Sequence, residues 1–273
     1  MKRVEIRIPD DLDSARADVA LRRLLPDVPG WQVRDAFKRK DVKRGGMRIA
    51  PDAVVRTGDA VCVFLPDAAV GAPGLRIVME DDAYIIVNKR QGMAVQGAGS
   101  VEALCSAHAG APVCACHRLD AQTGGLVLLA KTDEALRAAV EAFGERKIGR
   151  FYHALVAGIP RKREETLRAY LKKDAGAAKV HVCDQARDGY VPIETRYRLL
   201  RAEKDVSLLE VGLITGKTHQ IRAHLAHIGL PILGDDKYGD RALNRMYGKR
   251  KQCLWAVRLV LFDGRVFEVR EEF

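Results

Sequence analysis

The apolar positions of the first 66 residues predict two helices and several short strands. The stretch DSARADVALRRLL has helical spacing, and its apolar face comprises Val19, Leu21, Leu24 and Leu25. A second helix is predicted after Pro29, with Val33, Ala36 and Phe37 on its inward face. A charged strand at the N-terminus and the stretches MRIA, AVVR and AVCVFLP favour a small sheet. Residues 1–66 are therefore predicted to form a small α/β module.

From Leu75 onward, apolar runs of strand length outnumber helical patterns. Helices are predicted at 133–146 and 218–228, and strands at 77–79, 84–87, 125–130, 151–157, 194–200 and 207–214. Because the strands follow one another without regular strand–helix–strand alternation, we expect an α+β fold with a mostly antiparallel mixed sheet and flanking helices. The stretch DAAVGAPG, residues 67–74, lacks periodicity and is predicted to link this second domain, 75–273, to the first.

Composition and charge narrow the class of partner. The chain has 46 Lys and Arg against 36 Asp and Glu, a formal charge of +10, which favours a polyanion such as nucleic acid. Its hydrophobic fraction of 48% can fill a core. The N-terminus has no apolar signal-peptide core, and no apolar run approaches about 18 residues. We therefore expect a cytoplasmic protein outside the membrane, with a monomer as the default state.

The cysteine and histidine patterns do not favour a metal or a disulfide framework. Six cysteines lack the regular pairing of a disulfide scaffold and are predicted to be reduced. The stretch CACH, residues 114–117, has C-x-C spacing, and no second pair follows to complete a tetrahedral site. His219, His224 and His227 fall on one predicted helix that contains no acidic or thiol ligand. We expect no metal.

The stretch HRLDAQTGGLVLLAK, residues 117–131, places a carboxylate just before a run predicted to be a buried strand. Asp120 precedes Gly124 and Gly125, which leave room for a ribose or a backbone segment to approach. A carboxylate there can act in glycosidic chemistry as a nucleophile or a base, or it can merely cap a turn. Release of a free base would need a second carboxylate, and the motifs place none nearby.

The stretch GKTHQIRAHLAHIG, residues 216–229, predicts a helix that begins with a Thr218 cap and ends at Gly229. The buried stripe of this helix is predicted to comprise Ile221, Leu225 and Ile228. Arg222 lies in the first turns, where its positive charge can keep a nearby carboxylate ionised. The alternative is an ordinary surface ion pair, worth about 0–1 kcal/mol.

Four stretches together resemble the pseudouridine synthases of the RluA family: EDDAYIIVNK (80–89), HRLDAQTGGLVLLAK (117–131), RFYHALVAG (150–158) and LITGKTHQIRAHLAHIGLPILGDDKYG (213–239). The resemblance implies a pseudouridine synthase fold and an enzyme that isomerises uridine in RNA without a cofactor. It implies that Asp120 is the catalytic aspartate, that Arg222 pairs with it, and that Tyr152 stacks on the target base. Arg118 is expected to fill the space left when the uridine turns out of its stack. The other motif residues expected to bind the substrate are His117, Thr123, Lys217, His219 and Gln220.

The N-terminal module resembles the S4 RNA-binding domain, whose characteristic ending is matched here by GDAVCV, residues 58–63. This resemblance implies RNA contacts from the basic run after the second helix, which comprises Lys38, Arg39, Lys40, Lys43 and Arg44. The same run can instead be a solvated face.

The resulting hypothesis is a two-domain RNA pseudouridine synthase. By analogy with the family, large-subunit ribosomal RNA is the expected substrate and transfer RNA is second. The rival from another class is a non-catalytic RNA-binding or ribosome-assembly factor on the same scaffold.

Overall fold

The computed structural model describes residues 2–25, 28, 30–65, 75–174, 176 and 178–273. The chain divides into two compact units. One comprises Met1–Ile77 with Leu104–Pro112, and the other comprises Val78–Ala103 with Val113–Phe273. The linker predicted at 67–74 lies outside the described residues.

The first unit contains a four-stranded antiparallel sheet and two helices. Its strands are β1 (Lys2–Arg7), β2 (Val42–Arg44), β3 (Met47–Arg48) and β4 (Ala60–Leu65), in the order β1-β4-β2-β3. A short 3-10 helix covers Asp10–Leu12, and the two α-helices are α1 (Ala17–Leu24) and α2 (Gly30–Lys38).

The core of the first unit differs in detail from the predicted one. Val33, Ala36 and Phe37 are buried, as predicted for α2. In α1 the buried positions are Ala17, Ala20 and Leu21, whereas Val19 is 50% exposed, so its predicted inward position is wrong. The stretch AVVR contributes only an isolated bridge at Val54, and β4 pairs with β1 on one side and with the basic stretch Val42–Arg44 on the other. Cross-strand pairing, rather than side-chain polarity, decides which of these segments becomes a strand.

The second unit is built on one large mixed sheet. Its strands are β5 (Ile77–Glu80), β6 (Tyr84–Lys89), β7 (Cys114–Ala115), β8 (Gly124–Ala130), β9 (Gly149–Ala157), β10 (Glu164–Asp174), β11 (Lys179–Cys183), β12 (Val191–Glu203), β13 (Val206–Leu213), β14 (Leu254–Val260) and β15 (Val266–Glu268). The order is β11-β10-β12-β13-β9-β14-β8-β6-β5, with β15 paired to β14 and β7 to β8. Strands β8 and β14 run parallel, whereas β9 to β13 pair antiparallel with their neighbours.

Few helices accompany this sheet: α4 (Asp133–Gly144), α5 (Gln220–His227) and α6 (Arg241–Met246), whereas α3 (Val101–Ala109) begins in this unit and belongs to the first unit from Leu104 onward. Thr132 begins α4 by accepting a hydrogen bond from the Ala135 amide at 3.1 Å, and the buried face of α4 packs on the sheet. This large, mostly antiparallel sheet with few helices confirms the predicted α+β class. None of the helices in the described part of the chain combines the length and apolar character needed to cross a membrane.

Two glycines bring β8 against β14 just after the Asp120 loop. A Cβ on Gly124 would lie 2.3 Å from the Trp255 ring, and one on Gly125, at φ +110°, would lie 2.2 Å from the Ala256 carbonyl oxygen. The room that the sequence suggested for a ribose is therefore occupied by the protein's own strand. The glycine pair fixes the start of β8 and, with it, the end of the Asp120 loop.

Candidate active site

A groove of about 1040 Å³ opens on the second unit, and Asp120 and Arg222 line it. The loop between β7 and β8 forms one part of the lining, and the turn between β13 and α5 forms another. A smaller cavity of about 60 Å³ shares Asp120 and Arg222 with the groove and is also lined by Tyr152. The smaller cavity reaches buried side chains, Tyr152 among them.

Arg222 joins two carboxylates at the centre of this site. Its Nη1 donates to Asp120 Oδ2 at 2.8 Å, while its Nε and Nη2 donate to Asp235 Oδ2 and Oδ1 at 2.7 and 2.9 Å. The Asp235 side chain is fully buried, whereas that of Asp120 is 25% exposed. Asp235 thus takes one edge of the guanidinium in a bidentate pair, and the remaining edge points to the more exposed carboxylate.

Burial and charge act in opposite directions on these groups. Burial lowers the pKa of Arg222, but the hydrogen bonds and charges of Asp235 and Asp120 outweigh it and raise that pKa above its ordinary value. Burial raises the pKa of Asp235, yet Arg222 and the amides of Lys237 and Tyr238 lower it below its ordinary value. The pair therefore stays ionised in a largely dehydrated setting.

Helix α5 begins differently from the prediction. It starts at Gln220, its N-cap is His219 in the left-handed conformation at φ 54°, and the predicted Thr218 cap is wrong because no side chain caps this end. Ile221 and Leu225 are buried as predicted, but Ile228 is 37% exposed. The turn before α5 is held instead by the side chain of its first residue.

Gln220 uses its whole amide group within the protein. Its Oε1 accepts from the Thr215 hydroxyl at 2.9 Å and the Lys217 amide at 3.1 Å. Its Nε2 donates to the Glu194 carbonyl and the Thr195 hydroxyl, both at 3.0 Å. Two donors and two acceptors are thereby satisfied. In this geometry the amide group of Gln220 holds the turn, and its expected role in substrate binding stays a prediction.

His219 lies beside Asp120. Its Nε2 is 3.9 Å from Asp120 Oδ2, and its Nδ1 is 2.9 Å from the hydroxyl of Tyr238. Burial lowers the pKa of His219 below its ordinary value of 6.5, and Arg222 acts in the same direction while Asp120 opposes it. A neutral imidazole next to the carboxylate follows from this balance.

Tyr152 and Arg118 line the same small cavity as Asp120. Tyr152 lies on β9, where it pairs with Val211 of β13, and only 4% of it is exposed. Burial raises the pKa of its hydroxyl, so the phenol is protonated at neutral pH. Arg118 is exposed and lines the wider groove as well.

Thr123 and His117 hold the loop around Asp120. The Thr123 amide donates to the Asp120 carbonyl at 3.0 Å, and its buried hydroxyl accepts from Gln252 at 2.8 Å. His117 Nε2 accepts from the Leu128 amide at 3.0 Å, and burial lowers the pKa of this imidazole to about 3. The Thr123 hydroxyl and His117 Nε2 therefore hold the loop, whereas His117 Nδ1 is buried without a hydrogen-bond partner among the described residues. The expected substrate contacts of Thr123 and His117 stay predictions.

Three residues that sequence reasoning did not single out complete the site. Asp235 and Tyr238 lie in the stretch GDDKYG, beside Arg222 and His219. Lys89, only 2% exposed, donates to the carbonyls of Arg90, Met93 and Ala121 at 2.9–3.1 Å and so ties the end of β6 to the loop that carries Asp120. Burial lowers the pKa of Lys89 to about 8. The motif stretches contained all three residues, but a motif does not say which polar side chains are buried.

The groove is rich in positive charge. Its basic lining residues, besides Arg222, are Arg118, Arg150, Lys217, Lys237, Arg250 and Lys251, against two lining carboxylates, Asp120 and Asp236. Such a surface attracts a phosphate backbone. Among the described residues, no cluster of His, Cys, Asp and Glu has the geometry to hold a metal ion.

The basic run of the first unit has mixed surroundings. Lys38 and Lys40 are exposed, and Lys43 lies over the Phe64 ring at 5.2 Å. Arg39 pairs with Asp41 at 2.9 Å, and Arg44 pairs with Asp59 at 2.9 Å.

Known proteins and solved structures that are similar to this chain agree on one family. The "Ribosomal large subunit pseudouridine synthase C" proteins of Vibrio parahaemolyticus and Vibrio cholerae are each 32% identical to this chain, over 89% and 93% of it and 82% and 87% of their own lengths. The solved structure of "Human RNA Pseudouridylate Synthase Domain Containing 4" has a TM-score of 0.62 at 23% identity, over 72% of this chain and 88% of that one, which shows the same fold. Residues 83–227 match the family described as RNA pseudouridylate synthase. The chain therefore belongs to the RNA pseudouridylate synthases, within the RluA family, and is an isomerase of uridine in RNA.

Proposed function

We propose that this enzyme converts uridine to pseudouridine in large-subunit ribosomal RNA, with Asp120 as the catalytic residue. The observation that carries the proposal is the Asp120 carboxylate, partly exposed in a basic groove and held at 2.8 Å by a buried guanidinium. The names of the relatives support the choice of ribosomal RNA. The proposal includes a location in the cytoplasm, which is the expectation drawn from the sequence.

The isomerisation needs one acidic group and no outside reactant. The bond between C1′ and N1 breaks, the uracil turns, C1′ joins C5, and the hydrogen of C5 is lost to solvent while N1 gains one. The Asp120 carboxylate can attack C1′ or remove the proton from C2′, and both routes need it ionised. The positive charge of Arg222 favours that ionised form.

The neighbouring side chains fit the remaining tasks. Tyr152 offers an aromatic face and a protonated hydroxyl to the base in the small cavity. Arg118, exposed where both cavities meet, can occupy the space that a uridine leaves on turning out of its stack. Lys217 and His219 line the same cavity and are placed to contact the nucleotide.

The first unit supports an S4-like, RNA-holding role in the proposal. Two helices and a small sheet surround its core, and exposed Lys38 and Lys40 follow α2. Arg39 and Arg44 already have carboxylate partners, so the two lysines and Lys43 are better placed to bind phosphates. Such contacts fix register without reading sequence.

Replacement of Asp120 by Asn tests the proposal. Wild-type protein should release tritium from a large-subunit ribosomal RNA transcript labelled at C5 of uridine, because C5 exchanges its hydrogen for the bond to C1′. Asp120→Asn should release none and still bind the RNA. The matched control is Asp263→Asn, the same change in an exposed turn between β14 and β15, which should leave release unchanged.

The same assay separates the alternatives. Release from transfer RNA but not from ribosomal RNA would move the substrate to transfer RNA. Absence of release from both, with tight RNA binding by the wild-type protein, would favour a non-catalytic factor. Near-normal release by Asp120→Asn would remove Asp120 from the reaction.

A further inference from the structure

Tyr238 connects the two side chains that flank the candidate catalytic carboxylate. Its hydroxyl lies 2.9 Å from His219 Nδ1, and its ring meets the His219 ring edge-on at 5.6 Å. The guanidinium of Arg222 lies over the same ring at 5.2 Å. The Val180 amide of β11 donates to the hydroxyl at 2.8 Å and so fixes the position of the phenol oxygen.

These contacts favour one tautomer of His219. If Nδ1 accepts the Tyr238 proton, Nε2 carries hydrogen and directs a donor toward Asp120 Oδ2, 3.9 Å away. The opposite tautomer would place the Nε2 lone pair toward a carboxylate oxygen and turn the phenol proton away from the imidazole. Electrostatics at both nitrogens therefore select the Nε2–H form.

The backbone supports the same arrangement. His219 adopts φ 54° and ψ 15°, a left-handed conformation that non-glycine residues rarely take, directly before the first residue of α5. Its carbonyl still accepts from the Ala223 amide at 2.9 Å, so the residue is anchored to the helix that carries Arg222. A strained residue held at a site by several contacts is typical of functional positions.

We propose that Tyr238 is a positioning residue, whose hydroxyl holds His219 as the Nε2–H tautomer with this N–H beside the Asp120 carboxylate. The inference rests on the proposed function, because chemistry at Asp120 gives the N–H its use. A gap of 3.9 Å is too long for a direct hydrogen bond and can be bridged by one hydroxyl, which accepts from the N–H and donates to the carboxylate. The ribose 2′-hydroxyl, next to the anomeric carbon, is such a group.

Nitrogen NMR of histidine-labelled wild-type protein tests the tautomer without any RNA. The spectrum of His219→Gln, which lacks one set of signals, assigns the His219 resonances. We expect a protonated, pyrrole-type Nε2 and an unprotonated, pyridine-type Nδ1 at neutral pH, and loss of this single form in Tyr238→Phe. A protonated Nδ1 in the wild type, or an unchanged tautomer in Tyr238→Phe, would overturn the proposal.

A double-mutant cycle tests whether Tyr238 acts through His219. Tyr238→Phe should lower kcat on the ribosomal RNA transcript about tenfold, the upper range for one lost hydrogen bond. In the His219→Gln background the same change should lower kcat less than about twofold, because the tautomer no longer exists. Equal losses in both backgrounds, or no loss in the wild type, would mean that the hydroxyl serves only to anchor β11.

The matched control is Tyr197→Phe on β12. This change removes a hydroxyl that donates to the Lys162 carbonyl at 3.3 Å, and it should leave kcat unchanged in both backgrounds. Failure of this inference can be distinguished from failure of the proposed function. A wild-type protein that forms no pseudouridine contradicts the proposed function, whereas the NMR measurement decides the His219 tautomer independently of any activity.

Discussion

Asp235→Asn should destabilise the protein far more than the same change at its neighbour Asp236. The Asp235 side chain is fully buried and accepts two hydrogen bonds from Arg222, at 2.7 and 2.9 Å, and two from backbone amides, at 2.8 and 3.1 Å. An asparagine amide removes the charge and presents an N–H group to donors. Asp236 is exposed, so it offers a matched control one position away.

The magnitude follows from the partners that remain. Removing one member of a buried ion pair costs about 3–5 kcal/mol, because the other charge is left uncompensated. The Asp120 carboxylate, which lies 2.8 Å from Arg222 in the wild type, still offsets part of the charge, which places the expected loss near the lower limit, about 3 kcal/mol. Asp236→Asn should change the free energy of unfolding by no more than about 0.5 kcal/mol.

Urea unfolding monitored by tryptophan fluorescence measures this difference. The chain has two tryptophans, so a Trp31→Phe background leaves Trp255 of β14 as the reporter of the second unit. The two asparagine variants should differ in midpoint while keeping the same slope with denaturant. Equal midpoints for Asp235→Asn and Asp236→Asn would refute the reasoning that the buried carboxylate neutralises Arg222.

The pH dependence gives the same prediction a second readout. The folded-state pKa of Asp235 lies below the ordinary value of 3.8, so its ionisation stabilises the fold above that pH. As the pH falls through the lower folded-state pKa, the carboxylate takes up a proton and the contribution is lost. The stability gap between wild type and Asp235→Asn should therefore be full near neutral pH and shrink below pH 3.8.

Two further predictions concern packing and RNA affinity. Gly124→Ala should lower the free energy of unfolding in urea by about 1–3 kcal/mol, because its Cβ would meet the indole of β14 at 2.3 Å. The control Gly144→Ala places its Cβ in open space and should be neutral or stabilising. Equal effects of the two changes would contradict the close packing of β8 on β14. Lys38→Ala should weaken binding to ribosomal RNA uniformly across sequences and reduce the salt slope by about 1 in fluorescence anisotropy titrations. Arg137→Ala, an equal loss of charge on α4, should leave that slope unchanged, and an identical slope for both variants would remove Lys38 from the RNA contacts.

The sequence predicts those strands that consist of clear runs of apolar residues. The run from Gly124 to Ala130 is buried at every position, and the predicted strand at 151–157 lies within Gly149–Ala157. The prediction omits strand β10, although Leu167, Ala169 and Leu171 are buried at alternate positions, since the polar residues Arg168 and Tyr170 stand between them. Strands β14 and β15 flank an Asp-Gly turn at 263–264, a hairpin signal that was present in the chain.

The site was harder to complete from sequence than the fold. Asp235 and Asp236 are the same residue type in adjacent positions, yet one is 1% exposed and the other lies on the surface. Their difference is decided by the Arg222 guanidinium, which comes from a different element. The same holds for Tyr238, whose partners Val180 and His219 come from separate parts of the chain. Contacts between distant segments leave no local pattern.

The geometry of the Arg222 guanidinium explains why loss of the Asp120 charge should affect activity alone, whereas loss of the Asp235 charge should affect both stability and activity. Asp235 fixes the orientation of Arg222 through two bonds, and this orientation directs Nη1 to Asp120. Asp120→Asn leaves the buried pair intact, so the fold should persist while the chemistry stops. Asp235→Asn removes the anchor of the arginine itself, so both the fold and the position of Asp120 should suffer. A variant pair with the opposite pattern would mean that Asp120, not Asp235, orients the arginine.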